Sequence, residues 1–228
     1  MTRTPQQGPA ATAAAERRPR RKRDDEVVAA AAKVFHERGY SAATVQDIAD
    51  ELGILKGSLY HYIETKEDLL FRLFEQVHKD VEAILEEVVA VEGLDPLERI
   101  RLYVRRQIAH NLHDLERISI YYHELERLGP DRRKAVIGWR RRHDRFLADL
   151  IREAQDAGQA DPSIDAGLLA KCAFATIIWP YRWFRAGQGD TPESIADRCT
   201  EFVMHGVAGA APPRRAQKGR GRPRLSPT

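Results

Sequence analysis

No run in this 228-residue sequence approaches the about 18 consecutive apolar residues that a membrane-crossing helix requires, so no membrane span is expected. The N-terminus is basic, but no apolar stretch follows it, so a secretory signal is not expected either. Cysteine is scarce. Cys172 and Cys199 lie far apart with no CxxC spacing, which argues against a disulfide framework and fits a reduced, cytoplasmic protein. Strand-like alternation is nearly absent, while glycine and proline gather in the tails and a few loops. That pattern predicts an all-α fold. Chemistry-bearing constellations are missing too. There is no visible Ser-His-Asp set and no glycine-rich phosphate loop, so an enzyme is not expected. His110 and His113 share a helix face, but no third or fourth ligand stands at a convincing spacing, so no metal is expected.

What the sequence does have is unevenly placed charge. Residues 1–23 carry seven Lys/Arg against one Glu, and residues 211–228 carry six Lys/Arg and no acid. Between them the chain is acidic, and residues 24–70 hold four basic and ten acidic groups. Low hydrophobicity and like charge predict that residues 1–23 and 211–228 are disordered basic arms.

The stretch Thr44–Lys66 organises the rest. Val45, Ile48, Ala49 and Leu52 fall at i, i+3, i+4 and i+7, one apolar helix face. Thr44 is a suitable N-cap, and Gly53 stands where the chain must leave the helix. A second helix is predicted from Lys56 to Tyr62, with Leu59 and Ile63 inward. Small Ala49, Gly53 and aliphatic Leu59 allow two helices to cross closely, as in a helix-turn-helix whose second helix enters the DNA major groove. Any helical hairpin can carry glycine in its turn, but the polar second helix favours DNA. Thr44, Gln46, Lys56, Gly57, Ser58, Tyr60, His61, Tyr62 and Lys66 are the candidate DNA-binding residues. Arg20, Arg21, Lys22 and Arg23 are candidate arm contacts to phosphate or the minor groove; a solubilising tail is the alternative.

Residues 24–70 resemble the DNA-binding domain of TetR-family transcriptional regulators. The resemblance rests on Ala31, Phe35, Gly39-Tyr40, Thr44, Ile48-Ala49, Gly53, Lys56-Gly57-Ser58-Leu59-Tyr60 and Lys66-Glu67-Asp68-Leu69. Ile63 departs from it, since the family usually has Phe there. The resemblance implies a three-helix DNA-binding domain at 24–70 and a helical ligand-binding and dimerisation domain at 71–210, about nine helices in all. It also implies that Lys66 contacts the DNA backbone and that the last two helices pair two chains into a homodimer suited to a palindromic operator.

Further along, Thr65 caps a fourth helix, Asp95-Pro96-Leu97-Glu98 is a strong helix start, a helix is expected over about 114–128, and Gly129-Pro130 breaks the chain before a long helix over about 131–157. Asp165 caps a helix reaching Phe184 or Arg185, interrupted at Pro180, and Thr191-Pro192 opens the last helix. Residues 166–179 are apolar on nearly all sides, as in a helix buried on more than one face. In Trp179-Pro180-Tyr181-Arg182-Trp183-Phe184-Arg185 aromatics meet arginines beside a helix-breaking proline. A ligand pocket and a core or dimer-edge cluster with helix-capping arginines fit this segment equally. Tyr121, Tyr122, Trp179, Arg182 and Trp183 are the candidate ligand-binding residues. Arg140, Arg141 and Arg142 read as a solvated face, with CoA phosphates as the alternative. The domain resembles the lipid-, steroid- and acyl-CoA-responsive branch of the family, on Ile120-Tyr121-Tyr122-His123-Glu124 and Trp179 with Arg182-Trp183-Phe184. That implies an effector of acyl-CoA, fatty-acid or steroid type rather than a bound cofactor.

In the tail, Arg220-Gly221-Arg222-Pro223 resembles an AT-hook core, with Arg220 and Arg222 as minor-groove candidates; a generic basic tail is the alternative. The function expected is a cytoplasmic, homodimeric, sequence-specific DNA-binding regulator of the repressor type, released by a hydrophobic effector. The alternative from another class is an architectural DNA-binding protein with no effector.

Overall fold

The computed structural model describes residues 9–209, with side chains from Arg23 onward. Ten α-helices run through it: α1 (Pro9–Arg38), α2 (Val45–Glu51), α3 (Lys56–Leu59), α4 (Lys66–Ala90), α5 (Pro96–His113), α6 (Leu115–His123), α7 (Pro130–Asp156), α8 (Ala166–Ile178), α9 (Pro180–Trp183) and α10 (Pro192–Ala208). No strand occurs among the described residues. The expected nine become ten because Pro180 divides one predicted helix into α8 and α9.

Local chemistry explains where the helices start. Thr44, Thr65, Asp95 and Thr191 each form a reciprocal capping box with the residue three positions on. Pro96, Pro130 and Pro192 occupy first helical positions, where a missing N–H costs nothing. Between α2 and α3, Ile54 N donates to Ala49 O and Gly53 N to Asp50 O, both at 3.0 Å. This closing pattern needs a left-handed residue, and Gly53 supplies it at φ +64°.

Three expectations change. Residues 9–23, expected to stand apart as an arm, are helical and continue α1 back to Pro9. The alanines at positions 10, 11 and 13–15 have the highest helix propensity, and this outweighs like-charge repulsion. Residues 1–8 and 210–228 lie outside the described residues, and so does the Arg220–Arg222 motif. α3 stops at Leu59 rather than Tyr62, because the next turn tightens to i→i+3 bonds, His61 N to Ser58 O and Tyr62 N to Leu59 O. The helix predicted over 114–128 ends at His123 and passes into a 3₁₀ turn at Leu125–Arg127.

Two apolar clusters hold the chain. One joins α1, α2, α3 and the first half of α4, through Val27, Phe35, Ile48, Leu59, Leu70 and Phe74. Ile63 is buried in it, as expected of an aliphatic at the family's Phe position. The other joins the second half of α4 to α5, α7, α8 and α10, through Leu85, Tyr103, Leu147, Ala170 and Val203. Ile118, Ile120 and Tyr121 of α6 belong to the first cluster, so the second domain reaches into the core of the first. α4, about 37 Å long, runs through both clusters.

Candidate functional site

Two regions qualify, and the first is the face built by α2 and α3. Ile48, Ala49 and Leu59 are fully buried, which sends the polar residues of both helices outward. Thr44, Gln46, Lys56, Gly57, Tyr60 and His61 are exposed together, while Ser58 and Tyr62 are half-buried. Thr44 is also structural: its backbone N–H reaches Asp47 Oδ2 at 2.8 Å and its hydroxyl accepts from Asp47 N at 3.1 Å. The Thr44 hydroxyl, which donates to Asp47 Oδ2 at 2.7 Å, and then the Thr44 backbone N–H hold the Asp47 carboxyl below its ordinary range. Leu55, which carries no distinguishing signal in the sequence, stands 80% exposed just before α3. An apolar side chain on a DNA-reading face is suited to thymine methyl groups.

Lys66, the DNA-backbone contact that the resemblance implied, has a role inside the domain. Its ammonium donates to Tyr40 O at 2.7 Å and Ala43 O at 2.8 Å, and burial lowers its pKa. It thus ties the start of α4 to the loop after α1. Lys33 pairs with Glu51 at 2.7 Å and Arg38 with Asp47 at 2.6 Å. Three of the domain's four basic side chains are therefore engaged internally, and Lys56 is left on the outer face.

The second region is a cavity of about 300 Å³ where the two apolar clusters meet. It is enclosed by α4 (Val77, Val81), α5 (Tyr103, Gln107, Asn111), α6 (Ile118, Tyr121, Tyr122), α7 (Arg140, His143, Asp144) and α8 (Phe174, Ile177, Ile178). Its walls are mostly apolar, with a few polar groups. The Tyr103 hydroxyl and Gln107 Oε1 are buried without a partner, and so is Arg140 Nε. Buried polar atoms are nearly always paired, so these are places where a ligand's polar atoms gain most. Arg140 Nη2 donates to Tyr121 O at 2.5 Å, and its guanidinium lies 4.5 Å from the Tyr121 ring centre and 5.3 Å from that of Tyr122. Burial pushes the Tyr103 and Tyr122 hydroxyls well above the ordinary tyrosine range. Burial pushes His143 down to about 4, so this imidazole is neutral near pH 7.

Of the predicted ligand residues, Tyr121 and Tyr122 line the cavity and the others do not. Trp179 is 61% exposed and Trp183 48%, one turn apart on the outer surface, and Arg182 is exposed beside His123 at 3.2 Å. The physical reason is register. Pro180 and Phe184 face the core, which forces Trp179 and Trp183 outward. Arg185 donates to the carbonyls of Arg182 and Phe184, the helix-capping role. Tyr181 also turns partly inward, stacked on Tyr122 at 5.6 Å. Arg140 departs from expectation in the opposite direction. Arg141 and Arg142 are exposed as expected, but Arg140 lies on the stripe of Val136, His143 and Leu147 and turns inward. That i+4, i+3 spacing was the available signal. His113 pairs with Glu193 at 2.7 Å and does not join His110 in any cluster.

A solvent-facing helix pair that presents exposed polar groups, joined by a long helix to a cavity-bearing bundle, defines a DNA-binding regulator of helix-turn-helix type. Comparison with known proteins makes this specific. Residues 27–73 match the family model described as bacterial regulatory proteins, tetR family, and residues 93–207 match tetracyclin repressor-like, C-terminal domain. The chain belongs to the TetR family of transcriptional regulators. It is 30% identical over 177 residues to the HTH-type transcriptional repressor KstR2 of Mycobacterium tuberculosis, covering 77% of this chain and 88% of that one. It is 30% identical over 175 residues to the transcriptional regulator AcuR of Cereibacter sphaeroides, covering 75% and 79%. Among solved structures, the ketosteroid transcriptional regulator KstR2 of Mycobacterium tuberculosis superposes with a TM-score of 0.76 at 28% identity, over 82% of this chain and 96% of that one. AibR in complex with isovaleryl coenzyme A and operator DNA gives 0.73 at 27%, over 80% and 98%. No helix among the described residues is long and apolar enough to cross a membrane.

Proposed function

We propose that the protein is a homodimeric repressor, acting in the cytoplasm on a palindromic operator, and that an acyl-CoA releases it by placing its acyl group in the α4–α8 cavity. The observation that carries this is the cavity itself: apolar walls with an unpaired tyrosine hydroxyl and an unpaired glutamine oxygen. Its volume is at the low end for ligand pockets, which suits an acyl chain or small ring and not a whole CoA. Similarity to a regulator crystallised with isovaleryl coenzyme A, and to a ketosteroid regulator, supports the effector class. An apolar cavity of ligand size speaks against a purely architectural DNA-binding role.

The dimer reading rests on α8 and α10. Leu168 of α8 and Phe202 of α10 are exposed, Phe202 at 70%, beside a shallow apolar depression lined by Cys172, Ala173 and Val207. Apolar surface of this kind favours a second copy, and two-fold pairing matches two reading heads to two half-sites. Coupling would run through α4. Arg132 at the start of α7 binds Glu67 at 3.2 Å and also Asp68, and Gly129 N donates to Glu67 Oε1 at 3.1 Å. The effector domain thereby grips the first turn of α4, next to the reading head. An effector releases DNA only if it binds the DNA-incompetent arrangement better.

Gel shifts on the promoter regions around the protein's own gene, with and without a panel of acyl-CoAs, test the proposal. Specific binding that no acyl-CoA weakens would remove the effector claim and leave the DNA-binding one.

A further inference from the structure

We propose that His78, Glu82 and His143 form a binding site for one borderline divalent cation of the Zn(II) class, linking α4 to α7. His78 and Glu82 are one turn apart on α4, and His143 faces them from α7. His143 Nε2 lies 3.3 Å and His78 Nε2 3.7 Å from the same oxygen, Glu82 Oε1. One ligand atom from each residue lies within 4.8 Å of the others.

The spacing is informative. Zinc bound to nitrogen and oxygen at about 2.0–2.1 Å in a tetrahedron places its ligand atoms roughly 3.3 Å apart along each edge. Two of the three separations already have that size or nearly so. As hydrogen bonds they are poor, since N–H to O bonds cluster near 2.9–3.0 Å. The surroundings hold the ligands in place. His78 is stacked on Trp139 with ring centres 4.6 Å apart, and His143 lies 5.1 Å away on the other pairing. All three side chains are mostly buried, at 13%, 22% and 9% exposure. Arg142, with Nε 3.5 Å from Glu82 Oε1, is the competing cation, and its 63%-exposed side chain is free to move to solvent.

Three protein ligands leave a fourth position for water or another donor, as in open rather than closed zinc sites. His143 also borders the effector cavity, so the cation would sit at its edge. Bridging α4 to α7 would fix the helix that carries the reading head against the effector domain. The site does not depend on which effector fills the cavity.

Titrating tag-free, chelator-treated full-length protein with Co(II) tests the site through the visible ligand-field absorption of a low-coordinate ion. One Co(II) per chain, displaced by Zn(II), is expected. Glu82→Gln and His78→Gln should each weaken binding at least about tenfold, while His113→Ala, at an exposed ion pair on another face, should not change it. Glu82→Gln keeps shape and packing, so it decides the matter even if a histidine variant fails to fold. Absence of stoichiometric uptake, or uptake of equal strength in Glu82→Gln, would overturn the proposal.

Discussion

Lys66 Nζ donates to the carbonyl of Tyr40 at 2.7 Å and sits 4.4 Å from the centre of that residue's ring. A lysine at the positive end of a helix dipole is unfavourable by itself. Here it is retained because its ammonium satisfies two carbonyls in the loop between α1 and α2, a fixed strut behind the reading head.

Lys66→Met should therefore destabilise the protein by about 2 kcal/mol, the range for charge-assisted hydrogen bonds. At roughly 2–4 °C per kcal/mol for a chain of this size, the melting temperature should fall by several degrees. A lysine that served only as a phosphate contact would leave the melt unchanged and lower the salt slope of DNA binding by about one unit.

Acid should loosen the α4–α7 grip. Burial pushes Asp68 up, but the Arg132 hydrogen bond and the backbone amides of Thr65 and Glu64 outweigh it and hold the carboxyl below its ordinary range. A carboxylate depressed in the folded state contributes stability above its unfolded pKa of about 3.9 and loses it as pH falls through the lower folded value. Thermal melts from pH 7 to pH 3 should show a decline below about pH 4, and Asp68→Asn should flatten that decline while lowering stability at neutral pH.

Filling the cavity should separate DNA binding from release. Phe174 is half-buried and lines the cavity, so Phe174→Trp adds ring volume there without touching α2 or α3. Overpacking costs about 1–3 kcal/mol, which a domain of this size tolerates. Gel shifts should show operator binding kept and acyl-CoA release lost. Release at wild-type effector concentrations would place the effector elsewhere.

The basic segment ahead of the reading head should carry electrostatic affinity. Residues 24–70 have a net charge of −6, while residues 1–23 have +6. With Lys33, Arg38 and Lys66 engaged internally, few positive groups of the domain remain for phosphates. Deleting residues 1–23 should weaken binding and reduce the slope of log K against log salt by several units, at about 0.9 per phosphate contact, with sequence preference kept. An unchanged slope would refute that division of labour.

The reading head was legible in the sequence because its determinants are local. Thr44 and Asp47 cap a helix three residues apart, Gly53 closes it, and the apolar spacing of Val45 to Leu52 sets its face. Helix starts at Thr65, Asp95, Pro130 and Thr191 were legible for the same reason. The exceptions were also local: alanine propensity carried α1 back to Pro9 against the charge pattern, and tightened turns shortened α3 and α6.

The second domain was legible as helices and not as a site. Its cavity is lined from α4, α5, α6, α7 and α8, so side chains a hundred residues apart become neighbours only when those helices pack. Consecutive arginines at 140, 141 and 142 look alike in sequence, yet one turns inward and two stay in water. Trp179 and Trp183 look like pocket residues, yet Pro180 and Phe184 take the inward positions. His78, Glu82 and His143 show the same division: the i, i+4 pair is written along α4, but its third member arrives from α7. Composition, caps and period fix helices because those forces act within a turn or two. Rotation of one helix against another is set by how all their faces fill the core together, and that decides which polar groups meet.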